Sequence, residues 1–223
     1  GPNVQTTYDL VFANGAWVDR RRIGELCNGA TRIVACDGAL QRCLNAEVMP
    51  SVVMGDMDSV DPEALETFTA SGGEVVRLVE QNSNDLAKAV RWLEQNGSGR
   101  CIVVGATGGD PQHEWANLLS CAASNIDVEC ESTMQVYRFL RPGATYSIEV
   151  QQGEEFSLFA LPEAREINVF GATYPLTNAT LEMGSQGLHN VAEDERIELR
   201  FKQGRLMLMQ ARPDSTAEET SEA

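Results

Sequence analysis

Short apolar runs punctuate the N-terminal part of the chain, and the stretches between them mix apolar and polar positions. Six runs, Tyr8–Ala13, Thr31–Cys36, Ser51–Met54, Glu74–Val79, Arg100–Val104 and Ile126–Cys130, have the length and the Val/Ile content of β-strands. Between them apolar positions return at helical spacing. Asn84–Asn96 places Leu86, Ala89, Val90 and Leu93 on one face, with Ser83 or Asn84 as N-cap. Pro62–Ser71 begins with proline at a first helical position, and His113–Ser124 groups Leu118, Leu119 and Ala122. Strands alternating with helices predict a parallel sheet with helices on its faces.

Beyond Thr133 the helical spacing stops. Strand-like runs recur at Met134–Leu140, Thr145–Val150, Glu155–Leu161, Glu166–Phe170, Asn178–Met183, Arg196–Phe201 and Arg205–Gln210. Ile197, Leu199 and Phe201 alternate with Glu198 and Arg200, as in a half-buried strand, and Lys202-Gln203-Gly204 reads as a hairpin loop. The expected class is α/β: an N-terminal parallel-sheet, Rossmann-like domain over residues 3–132, then a C-terminal antiparallel β-sandwich over 133–213. Residues 214–223 read as a disordered acidic tail.

Composition narrows the partners. The 223 residues carry a formal net charge of −16, which opposes binding to nucleic acid or an anionic membrane. A polyphosphate ligand would need a divalent cation between itself and such a surface. No apolar run reaches the roughly 18 residues that a transmembrane helix needs. Six cysteines occur without a CxxC pair, and only two histidines accompany them, which argues against zinc. The first residues lack a basic-then-apolar leader, so the expected location is the cytoplasm, with reduced cysteines.

In an open parallel sheet, ligands bind beyond the carboxyl ends of the strands. Those ends are followed here by Asn14-Gly15, Asp37-Gly38, Gly55-Asp56-Met57-Asp58-Ser59, Glu80-Gln81 with Asn84-Asp85, and Gly105-Ala106-Thr107-Gly108-Gly109. Four carboxylates and a glycine-rich loop thus converge on one edge. Clustered carboxylates repel unless a cation lies among them, and magnesium takes a few carboxylates, waters and phosphate oxygens. Glycines let backbone N–H groups approach a phosphate closely. Each signal taken alone has a plainer explanation: a solvated turn, a first-turn helix acid, a tight loop.

The ordered set Cys36-Asp37-Gly38-Ala39, Gly55-Asp56-Met57-Asp58-Ser59, Gln81…Asn84-Asp85…Lys88-Ala89 and Gly105-Ala106-Thr107-Gly108…His113…Asn117 resembles the thiamine pyrophosphokinase family. The resemblance implies transfer of pyrophosphate from ATP to the hydroxyl of thiamine, releasing AMP, in a homodimer. It implies catalytic roles for Asp37, Asp56, Asp58 and Asp85, with Asp56, Asp58 and Asp85 holding Mg2+. It surrounds the nucleotide with Gln81, Asn84, Lys88, Gly105, Thr107, Gly108 and His113. It assigns thiamine to Gln112 and to the Gly187-Leu188-His189-Asn190 segment, with His189 and Asn190 as contacts. The family's glycine loop usually continues Arg-x-Asp-His, where this chain reads Asp110-Pro111-Gln112-His113. That difference keeps two alternatives open: a pyrophosphokinase for another alcohol such as a hydroxymethylpterin, or a turnover-deficient protein that binds nucleotide or thiamine.

Overall fold

The computed structural model describes residues 6–213; the expected acidic tail, 214–223, lies outside the described residues. The chain has a mixed α/β fold and divides into two compact units between Thr133 and Met134. Among the described residues, no helix is long and apolar enough to cross a membrane.

The first unit runs β1 (Tyr8–Phe12), α1 (Arg20–Gly29), β2 (Ala30–Cys36), α2 (Leu40–Asn45), β3 (Val52–Gly55), α3 (Pro62–Ala70), β4 (Glu74–Arg77), α4 (Asp85–Gln95), β5 (Arg100–Val104), α5 (Pro111–Ala123) and β6 (Asp127–Glu131). The six strands are all parallel, in the order β4-β3-β2-β1-β5-β6. Helices cover both faces, so β1, β3 and β5 bury nearly every residue and read as unbroken apolar runs. Leu86, Ala89, Val90 and Leu93 of α4 are buried together, as their spacing predicts. The helix starts are capped by short acids and an amide. Asp19, Asp61, Asn84 and Asp110 accept from the N–H groups of Arg22, Ala64, Ala87 and Gln112.

The order of these strands decides where chemistry can happen. β1 lies between β2 and β5: the chain leaves β1 toward β2 on one side and later crosses from β4 to β5 on the other, so a crevice opens beyond the carboxyl end of β1.

The second unit runs β7 (Gln135–Leu140), β8 (Thr145–Glu149), β9 (Glu155–Phe170), β10 (Leu176–Glu182), β11 (Asn190–Val191), β12 (Arg196–Arg200) and β13 (Gln203–Ala211). Every pairing within it is antiparallel, in the order β7-β13-β9-β12-β8, with β10 and β11 also on β9. Phe156, Leu158, Ile167, Val169, Ile197, Leu199, Phe201 and Leu206 share its core. β9 is one 16-residue strand where the apolar pattern predicts two. Pro162 lacks an N–H and signals a break. The partner strand absorbs it by a register shift between Gly204 and Leu206, opposite Ala164 and Ala160.

Candidate active site

Two loops build the crevice by binding each other. Ala13 N–H donates to the Val104 carbonyl at 2.8 Å, Gly15 N–H to Gly105 at 2.7 Å and Ala16 N–H to Thr107 at 2.8 Å. The loop after β1 therefore prolongs the parallel ladder into the glycine-rich loop after β5. Gly15 permits this approach, since a Cβ there would lie 2.2 Å from the Thr107 oxygen. Arg42 of α2 braces the first loop from outside. Its Nη1 donates to the carbonyls of Asn14 at 3.1 Å and Gly15 at 2.8 Å, and its guanidinium lies 4.2 Å from the centre of the Trp17 ring.

The crevice holds a cavity of about 470 Å³, within the range of small-molecule sites. Its lining includes Asn14, Gly15, Asp56, Gln81, Asn84, Asp85, Lys88, Gly105, Asp110, His113, Glu114 and Asn117. Of the residues expected around a nucleotide, Gln81, Asn84, Lys88, Gly105 and His113 line it, whereas Thr107 and Gly108 do not. Thr107 is buried behind the loop and contributes its carbonyl to Ala16. Gly108 donates its N–H to the Glu114 Oε1 at 2.8 Å, closing the loop onto α5. Gln112 also lies outside the lining, with its backbone N–H bound to the Asp110 cap.

The acidic residues take distinct positions. Asp37 is buried under the cavity floor; its Oδ1 accepts from Gly38 N–H at 2.7 Å and its Oδ2 from Met57 N–H at 2.9 Å. Oδ1 thus closes the turn after β2, and Oδ2 fixes the turn after β3, where Met57 adopts φ +70° and Gly55 φ +145°. Burial, and then repulsion from Asp85, push the Asp37 carboxyl up to about 6. The Asp58 N–H, with help from the Asp37 carboxyl and the Lys88 ammonium, holds Asp56 below the ordinary carboxylate range.

Asp58 departs from its expected place. Its N–H donates to the Asp56 Oδ1 at 2.9 Å, an Asx-type turn that leaves its own carboxyl exposed and outside the cavity. The expected magnesium set of Asp56, Asp58 and Asp85 is therefore not gathered. Among the described residues, no group of three or more His, Cys, Asp or Glu is arranged to hold a metal ion. Two hard carboxylates, Asp56 and Asp85, do line the cavity. They suit a magnesium ion that takes its remaining ligands from water and phosphate. Cys36 also faces the cavity, but burial pushes its thiol far above the usual range, and all six cysteines are free.

Several contributors carry weak sequence signals. Arg42 belongs to no part of the motif. Asp110, where the family pattern has a cation, caps α5, and its Oδ2 meets the His113 Nδ1 at 2.7 Å. Asn117 ties the loop at Ala106 to the start of α4.

His189 and Asn190 lie in the second unit. Asn190 is buried, and its amide is committed to backbone: Oδ1 accepts from Tyr174 N–H at 3.1 Å and Val191 N–H at 2.9 Å, while Nδ2 donates to the Tyr174 carbonyl at 2.8 Å. His189 has φ +56° and donates its N–H to the Ser157 hydroxyl at 3.0 Å, leaving its ring exposed. The nearby Gly187 has no room for a Cβ, which would lie 2.2 Å from the Leu158 oxygen.

The thiamin pyrophosphokinase catalytic-domain family matches residues 23–130, which include Asp37, Asp56, Asp58, Asp85 and Asp110. Thiamine pyrophosphokinase 1 of Oryza sativa subsp. japonica is 30% identical over 166 residues, 67% of this chain and 62% of that protein. Thiamine pyrophosphokinase 3 of the same plant is 37% identical over 76 residues, 31% of this chain and 28% of that protein. The chain thus spans less than two thirds of the length of these relatives. Among solved structures, thiamine pyrophosphokinase from Bacillus subtilis superposes with a TM-score of 0.77 at 20% identity, covering 93% of this chain and all of that one, a likeness of fold. Together with the motif residues on their strand ends, these matches assign residues 23–130 to the thiamin pyrophosphokinase catalytic-domain family, in a chain with the thiamine pyrophosphokinase fold.

Proposed function

We propose that this chain transfers pyrophosphate from ATP to the hydroxyl of thiamine, giving thiamine diphosphate and AMP. The observation that carries the reading is the acidic cavity at the β1/β5 crevice, built from the family's own motif residues within the matched domain. The first unit serves ATP and magnesium, and the second serves thiamine in a homodimer.

Each residue then has a physical task. Asp56 and Asp85 hold magnesium, which supplies charge neutralisation on the triphosphate. Asp37 holds the Asp56 turn in place through the hydrogen bond that its Oδ2 accepts from Met57 N–H. Lys88, in the cavity lining, offers its ammonium to phosphate oxygens. The paired loops after β1 and β5 set the nucleotide wall, with Gln81, Asn84, Gly105 and His113 around it. Rate enhancement comes chiefly from positioning and from stabilising charge as it develops. His189, with its free ring, is the thiamine contact of the second unit, and Asn190 positions its neighbours.

A second reading, nucleotide binding without turnover, draws on Asp110: a capping carboxylate occupies the place of a phosphate-facing arginine. AMP release in the presence and absence of thiamine separates the two. Thiamine-dependent AMP, abolished by chelator, is expected. ATP binding that is indifferent to chelator sinks the magnesium assignment, and tight ATP binding without AMP in any condition favours the second reading.

A further inference from the structure

A second cavity, of about 360 Å³, opens beside the end of β4 and the exposed face of α4, lined among others by Arg77, Leu78, Glu80, Lys88, Arg91 and Trp92. Its charge is opposite to that of the chain: three cations against one acid, in a protein of net charge −16. The acid is already committed. The Glu80 carboxylate accepts from the Asn82 N–H and, at 2.6 Å, from the Ser83 hydroxyl, with Arg91 at 3.5 Å.

Arg91 also donates to the Ser83 hydroxyl at 3.2 Å, but the other two cations are not so well provided. The Arg77 side chain makes no hydrogen bond or ion pair among the described residues, although it lines the cavity. Lys88 is only 7% exposed, yet the hydrogen bond that its Nζ donates, to the Leu78 carbonyl, is 3.5 Å long. A buried ammonium with three donors and one stretched bond is costly without an anion near it. Lys88 lines both cavities, so its head stands in the wall between them. Leu78 and Trp92 supply apolar surface beside the cations.

We propose that this cavity is a second anion site, which takes a small organic phosphate. Its phosphoryl oxygens meet Arg77, Arg91 and Lys88, and its apolar body lies against Leu78 and Trp92. Guanidinium groups suit phosphate by charge and by their forked donors. An occupant draws the Lys88 ammonium away from Asp56, so binding here weakens anion binding in the acidic cavity. By linkage, a ligand of the acidic cavity weakens binding here by the same factor. The proposal shares Lys88 with the proposed transfer site, but it rests on the cavity at Arg77, Arg91 and Trp92, and binding there is read without turnover.

The test uses the full chain in chelator, with no nucleotide and no thiamine, so it is blind to catalysis. Phenyl phosphate and inorganic phosphate are titrated by calorimetry and by the indole N–H resonances, with Trp92 assigned through Trp92→Phe. Saturable binding is expected, tighter for phenyl phosphate, with the Trp92 resonance shifting and that of Trp115 still. Arg77→Ser combined with Arg91→Ser should weaken it by about tenfold or more, whereas Asp56→Asn should leave it intact or tighten it. No saturation, an unchanged affinity in the double variant, or a shift confined to resonances other than Trp92 overturns the proposal. The resonance shift in the unaltered chain decides the matter even where the double variant fails to fold.

Discussion

Asn84 and Asn117 are joined side chain to side chain, the Asn84 Nδ2 donating to the Asn117 Oδ1 at 2.8 Å. The Asn117 Nδ2 in turn donates to the Ala106 carbonyl at 2.8 Å, while the Asn84 Oδ1 caps α4 through Ala87 N–H. One short chain of amides thus links the starts of two structural features that face the cavity, the α4 N-terminus and the glycine-rich loop, through the middle of α5. Asn117→Ala leaves the Ala106 carbonyl and one Asn84 donor unpaired in a buried place. The expected loss is about 1–3 kcal/mol in chemical denaturation, with weaker ATP binding because the loop is no longer anchored. Unchanged stability and affinity would remove Asn117 from this role.

The paired loops after β1 and β5 make a sharper steric case. Gly15→Ala sets a methyl against the Thr107 and Gly105 oxygens, which would lie at 2.2 and 2.5 Å, and these are backbone atoms that cannot swing aside. The loops should part, lowering both melting temperature and nucleotide affinity. Gly24→Ala provides the control, because nothing lies within 4 Å of a Cβ there and the site is within α1. It should stabilise by roughly 0.5–1 kcal/mol. Thermal melting of the two variants side by side checks both signs.

Asp37 gives a pH signature. Its carboxyl titrates near 6 in the folded chain against an ordinary value of 3.8, so the folded state holds that proton more tightly. Ionising it therefore costs folded-state stability. The cost is absent below the ordinary value, grows as pH rises through the window, and is complete above about 6. Asp85→Asn removes the neighbouring charge and should bring Asp37 down and flatten that slope. Magnesium should act in the same direction. Carboxyl carbon NMR follows Asp37 directly, and a titration that ignores both Asp85→Asn and magnesium would contradict the arrangement.

Asn190 illustrates how a motif residue can be structural. Its amide makes three backbone hydrogen bonds, two of them to Tyr174. Asn190→Ala should cost about 1–3 kcal/mol in stability and disturb the Tyr174 segment. His189→Ala, whose ring is exposed, should leave stability nearly intact while raising the thiamine requirement. The reverse pair of outcomes would make Asn190 the ligand contact and His189 the structural residue.

The legible features were those that local chemistry determines. Strands buried on both faces, such as Val52–Gly55, announce themselves as apolar runs. The α4 stripe follows from spacing alone, and Asp61-Pro62 and Asn84 mark helix starts by capping chemistry. What stayed hidden depends on distant partners or on backbone handedness. The position of β1 between β2 and β5 is a tertiary fact that no local pattern encodes. Asp58 lies outside the cavity in a turn where Met57 enters the left-handed region, a conformation its residue type does not advertise. Pro162 reads as a strand break because the compensating shift lies in β13, some 40 residues away. Arg42 carries no motif, and only its contacts with Asn14, Gly15 and Trp17 reveal it.

The residue at 110 separates charge from architecture. Asp110 is the N-cap of α5 and the partner of His113, and it lines the same cavity as Asp56 and Asp85. Asp110→Arg therefore changes two things at once. It brings a cation toward the phosphates, and it removes a cap worth about 0.5–2 kcal/mol. A fall in melting temperature from that variant says nothing about catalysis. Asp110→Asn isolates the charge, because asparagine caps a helix as well as aspartate does. The carboxylate repels the triphosphate at a half-exposed position, so its removal should tighten ATP binding by a fewfold. Melting should be nearly unchanged, and the gain should fade as salt screens the charge. Calorimetry at low and high salt reads this directly. If Asp110→Asn instead weakens ATP binding, the carboxylate is a nucleotide contact, and the departure from the family's arginine is an adaptation of this cavity to its ligand. If the rate of AMP release rises together with affinity, Asp110 restrains turnover by charge alone. Arginine then becomes the informative second substitution, tried with Gln112→Asp in the same chain.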